Sequence, residues 1–320
     1  MLNFLKKIFG SRWFKFVFSA VLIYFAFKKV NVVELFYEIK RIPVWFVLVS
    51  VIWSFLLVAL ISFRWSLLLF SKIKIKTILT FTRASFLAAF YSLFFPTAVA
   101  GEVSKWIVVD QKYPEIPKTK VLGSIVLDRF IGFSVFIALG LVTTIIGKKA
   151  GLMVPNYVFY LLIILTIVCF LIYTVIYFFD VSKILPKAKF LNKLDDAFDL
   201  LKDKNKSQII KCFLISIVSE TLWILQIWFV GQQFGTKVEI LSVFVFIPVI
   251  SMILILPISI GGFGAREQLY LLFFLQAGGT TESILLMSTF LGILGIFNAL
   301  FGGVLLFFDQ EIKKKIVYRT

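Results

Sequence analysis

Long apolar runs recur along this chain, and they leave it few possible folds. Runs of about 20 mostly apolar residues are long enough to cross a bilayer as helices. They lack the period-2 alternation of a membrane barrel strand, and backbone groups in lipid must be satisfied within their own segment. Of the 320 residues, 60% are hydrophobic and only 16% are charged. A soluble domain of this length usually has about 45–50% apolar and roughly 25% charged residues. With a mean hydropathy of +0.99, the excess apolar surface has to face lipid.

The runs define six expected spans, at about Trp13–Phe27, Val44–Leu69, Val121–Ile146, Tyr157–Phe179, Ile209–Val230 and Ser283–Phe308. Two further apolar stretches are interrupted. Ile78–Phe95 contains Arg83 and stops at Pro96; Ile240–Leu256 stops at Pro257 and is followed by a short run, Gln268–Gln276. Amphipathic stretches at Val32–Ile42 and Leu191–Leu201 fit helices lying in the headgroup plane. The basic N-terminal stretch resembles a signal peptide, but Lys28 and Lys29 follow its apolar run where a cleavage site would stand, so it is expected to remain as the first span.

Charge fixes an orientation. The net charge is +17, and the lysines and arginines gather in short loops, as the positive-inside rule and anionic lipid headgroups require. The N-terminal tail (Lys6, Lys7, Arg12, Lys15), the eight lysines between Lys183 and Lys211, and the C-terminal Lys313, Lys314, Lys315 and Arg319 are all expected on the cytoplasmic side of the plasma membrane. Both termini inside, with the 183–211 loop inside, require an even number of crossings in each interval. Each interrupted segment is therefore expected to be a re-entrant hairpin. No aromatic–basic module suggests nucleic acid. Two cysteines, Cys169 and Cys212, and no histidine leave no metal cluster and no common general base, and no Walker-type loop is present. Neither a cofactor nor enzymatic chemistry is expected.

The two breaks are 161 residues apart (Pro96, Pro257), half the chain. Each runs apolar helix, proline, glycine (Gly101; Gly261, Gly262 and Gly264) and glutamate (Glu102; Glu267). Proline ends the first helix and glycine allows a close reversal. Three crossings and one hairpin in each half, 1–150 and 151–320, make one transmembrane domain built as an inverted repeat, in which broken segments mark a mid-membrane site. The expected fold is thus an all-α polytopic membrane protein with about six full spans and two re-entrant hairpins.

Charged residues near or within apolar runs usually face a bundle interior, pair, or line a cavity. Glu102, Lys105, Asp128, Arg129, Glu220, Arg266 and Glu267 are the candidates for binding a substrate. Their plainer role is to pair helices. Adjacent residues on a helix diverge by about 100°, so Asp128, Arg129, Arg266 and Glu267 are expected to pair across helices.

Three stretches, Phe95–Lys105 (FPTAVAGEVSK), Val126–Gly132 (VLDRFIG) and Pro257–Glu267 (PISIGGFGARE), resemble the signature blocks of the lysylphosphatidylglycerol synthase transmembrane domain family, also called flippase-like. The resemblance covers essentially the whole chain. It implies re-entrant helices and movement of a lipid between leaflets. The soluble synthase domain has no counterpart here, so lipid synthesis is not implied. The expected partners are membrane lipids of the anionic or polyprenyl-phosphate type, with a homo-oligomer as one assembly. A subunit acting on lipid-linked sugars and a small-solute transporter are the alternative functions.

Overall fold

The computed structural model describes Tyr24, Tyr37 and residues 40–94, 98–178, 206–254 and 262–307. The first expected span apart from Tyr24, the Leu191–Leu201 stretch, and Pro96, Pro257 and Gly261 lie outside the described residues, as does Val32–Ile42 apart from Tyr37 and residues 40–42.

Nine helices occur among the described residues, and no strand. They are α1 (Val44–Leu69), α2 (Ile75–Phe94), α3 (Ala98–Lys112), α4 (Lys118–Lys149), α5 (Asn156–Phe178), α6 (Lys206–Gln233), α7 (Ile240–Leu254), α8 (Ala265–Phe274) and α9 (Thr281–Phe307). Five of them, α1, α4, α5, α6 and α9, are long and apolar enough to cross a membrane. The chain is a polytopic α-helical membrane protein. Helix bounds follow the composition of the ends: Pro43 precedes α1 and Pro117 precedes α4, where a missing N–H costs nothing.

Helices α1 and α6 form an antiparallel pair at the centre. Gln226 Nε2 donates to the Ser50 carbonyl at 2.9 Å near one end, and Arg64 Nη1 donates to Ser216 Oγ at 2.5 Å near the other. Ser54 Oγ, also on α1, donates to Asn298 Oδ1 of α9 at 3.1 Å. Such polar ties and close contacts hold helices together where lipid removes most of the hydrophobic drive.

Helices α2 and α3 are joined by three residues and pack along each other as a hairpin. Gly101 makes the contact close: a Cβ there would collide with Ser92 Oγ and lie 2.8 Å from the Ala88 carbonyl oxygen. The hairpin leaves and returns at one end of the bundle. Tyr113, just past α3, packs on Phe70 and Phe81 at ring separations of 4.9 and 6.5 Å. A small core of Trp65, Phe81, Leu87, Val108, Val109, Val121 and Ile125 joins α1, α2, α3 and α4 toward that end. Helices α7 and α8 pack on each other within the larger core, where Phe246 stacks on Phe273 at 5.1 Å.

The packing partners exchange between the halves. Helix α2 packs on α9, and α7 packs on α4. At the first contact a Cβ on Gly302 would strike the Phe86 backbone carbonyl; at the second, a Cβ on Gly140 would lie 2.8 Å from Pro248 Cβ. Gly302 follows Gly140 by 162 residues (302 minus 140), and Pro248 follows Phe86 by the same 162 (248 minus 86). Each contact sets a glycine of a long span against a helix from the other half of the chain, a backbone carbonyl in the first and a proline ring in the second.

Pro248 lies inside α7 and supplies no N–H to the Phe244 carbonyl one turn back. Thr143 Oγ1 of α4 lies 3.2 Å from that carbonyl, and 2.8 and 3.1 Å from the Leu139 and Gly140 carbonyls of its own helix, so its one proton is shared among three acceptors. The glycine admits the ring, and the threonine brings a hydroxyl to the oxygen the ring orphans.

Candidate functional site

A cavity of about 390 Å³ opens between α1, α2, α3, α4, α6 and α7. Its size falls within the range of ligand pockets. Arg64, Glu102, Lys105, Asp128, Arg129 and Glu220 supply three cations and three carboxylates to its wall. Ser85 and Ser92 of α2 add hydroxyls, and the remaining wall includes Leu57, Ile61, Phe133, Phe136 and Trp223.

The six charges form two clusters. In the buried one, Arg64 faces Asp128 in a two-pronged pair, Nε to Oδ1 at 2.7 Å and Nη2 to Oδ2 at 3.1 Å. Both side chains are nearly shut off from the outside, 3% and 5% exposed. Nη2 also donates to the Asp128 carbonyl at 3.2 Å. Glu220 approaches Nη1 at 3.6 Å, beyond good hydrogen-bond distance. Gly132 makes room: a Cβ there would lie 3.1 Å from both terminal guanidinium nitrogens. The planar fork of arginine suits this arrangement, binding a carboxylate with two donors.

The second cluster lies toward the opening. Arg129 donates to Glu102 Oε1 through Nη2 at 2.6 Å and through Nε at 3.1 Å. Lys105 Nζ lies 3.3 Å from Glu102 Oε2 and 5.4 Å above the Trp65 ring. Arg129 is 56% exposed, whereas Lys105 is 9% exposed. Arg129 begins its reach 11 residues into α4 (129 minus 118), about 16 Å along the helix at 1.5 Å per residue.

Five of the seven candidate residues therefore share one cavity: Glu102, Lys105, Asp128, Arg129 and Glu220. The adjacent Asp128 and Arg129 do pair across helices, with α1 and α3 respectively. Arg266 and Glu267 are not among the lining residues, and their pairing differs from expectation. They bind each other at 2.7 Å. Glu267, in the first turn of α8, reaches back so that the Gly264 N–H donates to its Oε2 at 2.6 Å, a cap on the helix start. Its other oxygen accepts from Ser288 Oγ at 3.0 Å, and Arg266 Nε donates to the same hydroxyl at 3.1 Å. Capping draws the glutamate along the axis, where its neighbour's long side chain meets it. Gly262 and Gly264 both take a positive φ of 79° at this turn, which suits glycine. The second hairpin contributes Ser251 of α7 to the cavity.

Arg64 is the residue that sequence reading overlooked. Its signal was present, a lone charge within an apolar span, the same signal that marks Glu220. Gly132 and Ser85 carry no signal of their own without their neighbours.

Comparison with curated proteins and with solved structures gives no match. The family described as the Lysylphosphatidylglycerol synthase TM region matches residues 12–303 of this chain, and the protein belongs to that family.

Proposed function

We propose that this protein moves a membrane lipid between leaflets, its phosphate-bearing headgroup crossing through the charged cavity while its chains stay in hydrocarbon. Membership of a lipid-related membrane family supports the setting. One observation carries the reading: three cations and three carboxylates line a cavity of about 390 Å³ inside a bundle of spanning helices. Unpaired charge is costly at that depth, and charge retained there usually serves a pathway. A compensated lining offers donors to a phosphate without leaving a large net charge in hydrocarbon.

The orientation follows from charge. Lys72, Lys74, Lys76, Lys112, Lys118 and Lys120 gather where α1 ends, α2 and α3 open, and α4 begins; Lys148, Lys149 and Lys237 stand toward the other end. The richer end is assigned to the cytoplasm. The α2–α3 hairpin then enters from that side, and α7–α8 from the opposite one. The exchanged packing of α2 on α9 and α7 on α4, and the antiparallel α1–α6 pair, support two halves related by inversion. Such an arrangement can rock about a fixed site and open it to each side in turn. Headgroups of anionic phospholipids or polyprenyl phosphates fit the exposed Arg129.

The test is reconstitution in liposomes carrying a fluorescent anionic phospholipid, with a membrane-impermeant quencher added outside. Protein-containing vesicles are expected to lose signal well beyond the outer-leaflet half. A plateau at the protein-free level, with folded protein, for both anionic and polyprenyl-phosphate probes contradicts the proposal.

A further inference from the structure

The two charge clusters differ in how firmly they are built. Arg64 and Asp128 are both buried, share two short hydrogen bonds and are held by Ser216 and by the gap at Gly132. Arg129 and Lys105 instead share one carboxylate, Glu102. Two cations against one acid leave this cluster one positive charge in excess. Arg129 is more than half exposed, so the guanidinium can be reached without unpacking a helix. Glu102 stands on α3, four residues from the helix start, and its two oxygens span the gap between Arg129 and Lys105 much as two oxygens of a phosphate would.

We propose that Glu102 is an internal stand-in for the substrate's phosphate, holding Arg129 and Lys105 in place in the empty cavity and yielding them when an anionic headgroup arrives. This deepens the transport reading and rests on it. An incoming phosphate takes over the two cations while the displaced Glu102 carboxylate loses them, so the cost of freeing that carboxylate offsets much of the gain and the headgroup is not trapped. The displaced Glu102 also releases α3 from α4 at the level of the cavity, since its bond to Arg129 is a direct polar tie between those two helices. Binding of the anion and loosening of the hairpin's second arm are thereby one event. The recognised chemistry is a phosphate with two free oxygens and no cation on the same headgroup, carried by a lipid or free in solution.

The experiment measures equilibrium binding to purified protein in neutral nanodiscs, for native protein, Glu102→Gln and Arg129→Gln. The probes are a fluorescent phosphatidylglycerol, the same label on phosphatidylcholine, and glycerol phosphate as a soluble competitor. Glu102→Gln keeps the side chain's shape and removes the competing charge. It is expected to bind phosphatidylglycerol roughly fivefold more tightly, the scale of one partly exposed ion pair. Native protein is expected to bind phosphatidylglycerol in preference to phosphatidylcholine, and Arg129→Gln is expected to lose that preference. Competition by glycerol phosphate marks a site for phosphate as such; its failure with lipid binding retained marks a lipid headgroup site. Equal or weaker phosphatidylglycerol binding by Glu102→Gln, with native thermal stability, overturns the stand-in role. Translocation by the native protein in liposomes is a separate readout, so the transport reading can stand while this one falls. A Glu102→Gln protein that fails to fold is replaced by Glu102→Ala with the same criterion, and failure of both to fold counts Glu102 as structural and overturns the proposal.

Discussion

A single arginine holds the deepest part of the cavity together. Arg64 on α1 answers Asp128 on α4 and approaches Glu220 on α6, so three spanning helices meet on one guanidinium. Removing one partner of a buried pair leaves an uncompensated charge, at a cost of about 3–5 kcal/mol. Arg64→Met is expected to lose stability on that scale in thermal unfolding of detergent-purified protein. Arg64→Met with Asp128→Leu is expected to recover most of it and still fail to translocate lipid. Such a split separates packing from function at one site, whereas equal loss in single and double variants would mean that the pair is not the cause. Asp128 and Arg129 were legible from the sequence because two adjacent charges interrupt an apolar run. Arg64 carries the same signal as Glu220, a lone charge in an apolar span, and only its partners across the bundle single it out. Partner identity was also hidden: nothing in residues 102 and 129 alone says that their side chains meet.

Helices show the opposite balance, with composition revealing most of their extent. The second expected span and α1 share both ends, Val44 and Leu69, and the other four described spans differ from expectation by one to three residues at the N-terminal end. Length and apolar character are local properties, so they can be read locally. Helix-to-helix fit is not local. The apolar stretch from Ile240 is expected to run through Pro248, and α7 does so from Ile240 to Leu254, with Gly140 admitting the ring and Thr143 bringing a hydroxyl within 3.2 Å of the Phe244 carbonyl. Thr143→Val is expected to cost about 1–2 kcal/mol, the penalty for a buried acceptor left unpaired. In a Pro248→Ala background the restored backbone N–H can serve that carbonyl, and Thr143→Val is expected to cost almost nothing. Equal costs in the two backgrounds, measured as a double-mutant cycle, would refute the assignment.

Over the whole molecule, the described helices arrange themselves around one antiparallel pair, α1 and α6, with each half lending a helix to the other's hairpin. The contents of the site were only partly foreseeable. Five of the foreseen charges converge, and the second pair, Arg266 with Glu267, instead fastens the start of α8 to Ser288 of α9. A cavity between helices is a property of distant segments, which spacing along the chain encodes weakly. If the cavity is the route, filling it must stop transport in a protein that is otherwise intact. The decisive measurement replaces Cys169 and Cys212 with serine, introduces Phe133→Cys in the cavity wall or Ile167→Cys on the exposed side of α5, and follows lipid translocation before and after attachment of a bulky disulfide-linked reagent. Labelling at 133 is expected to slow translocation by about tenfold or more, the scale of 1.4 kcal/mol or more on a barrier, and reduction of the disulfide is expected to restore it. Labelling at 167 is expected to leave the rate unchanged. Full-rate translocation with residue 133 labelled would contradict the account.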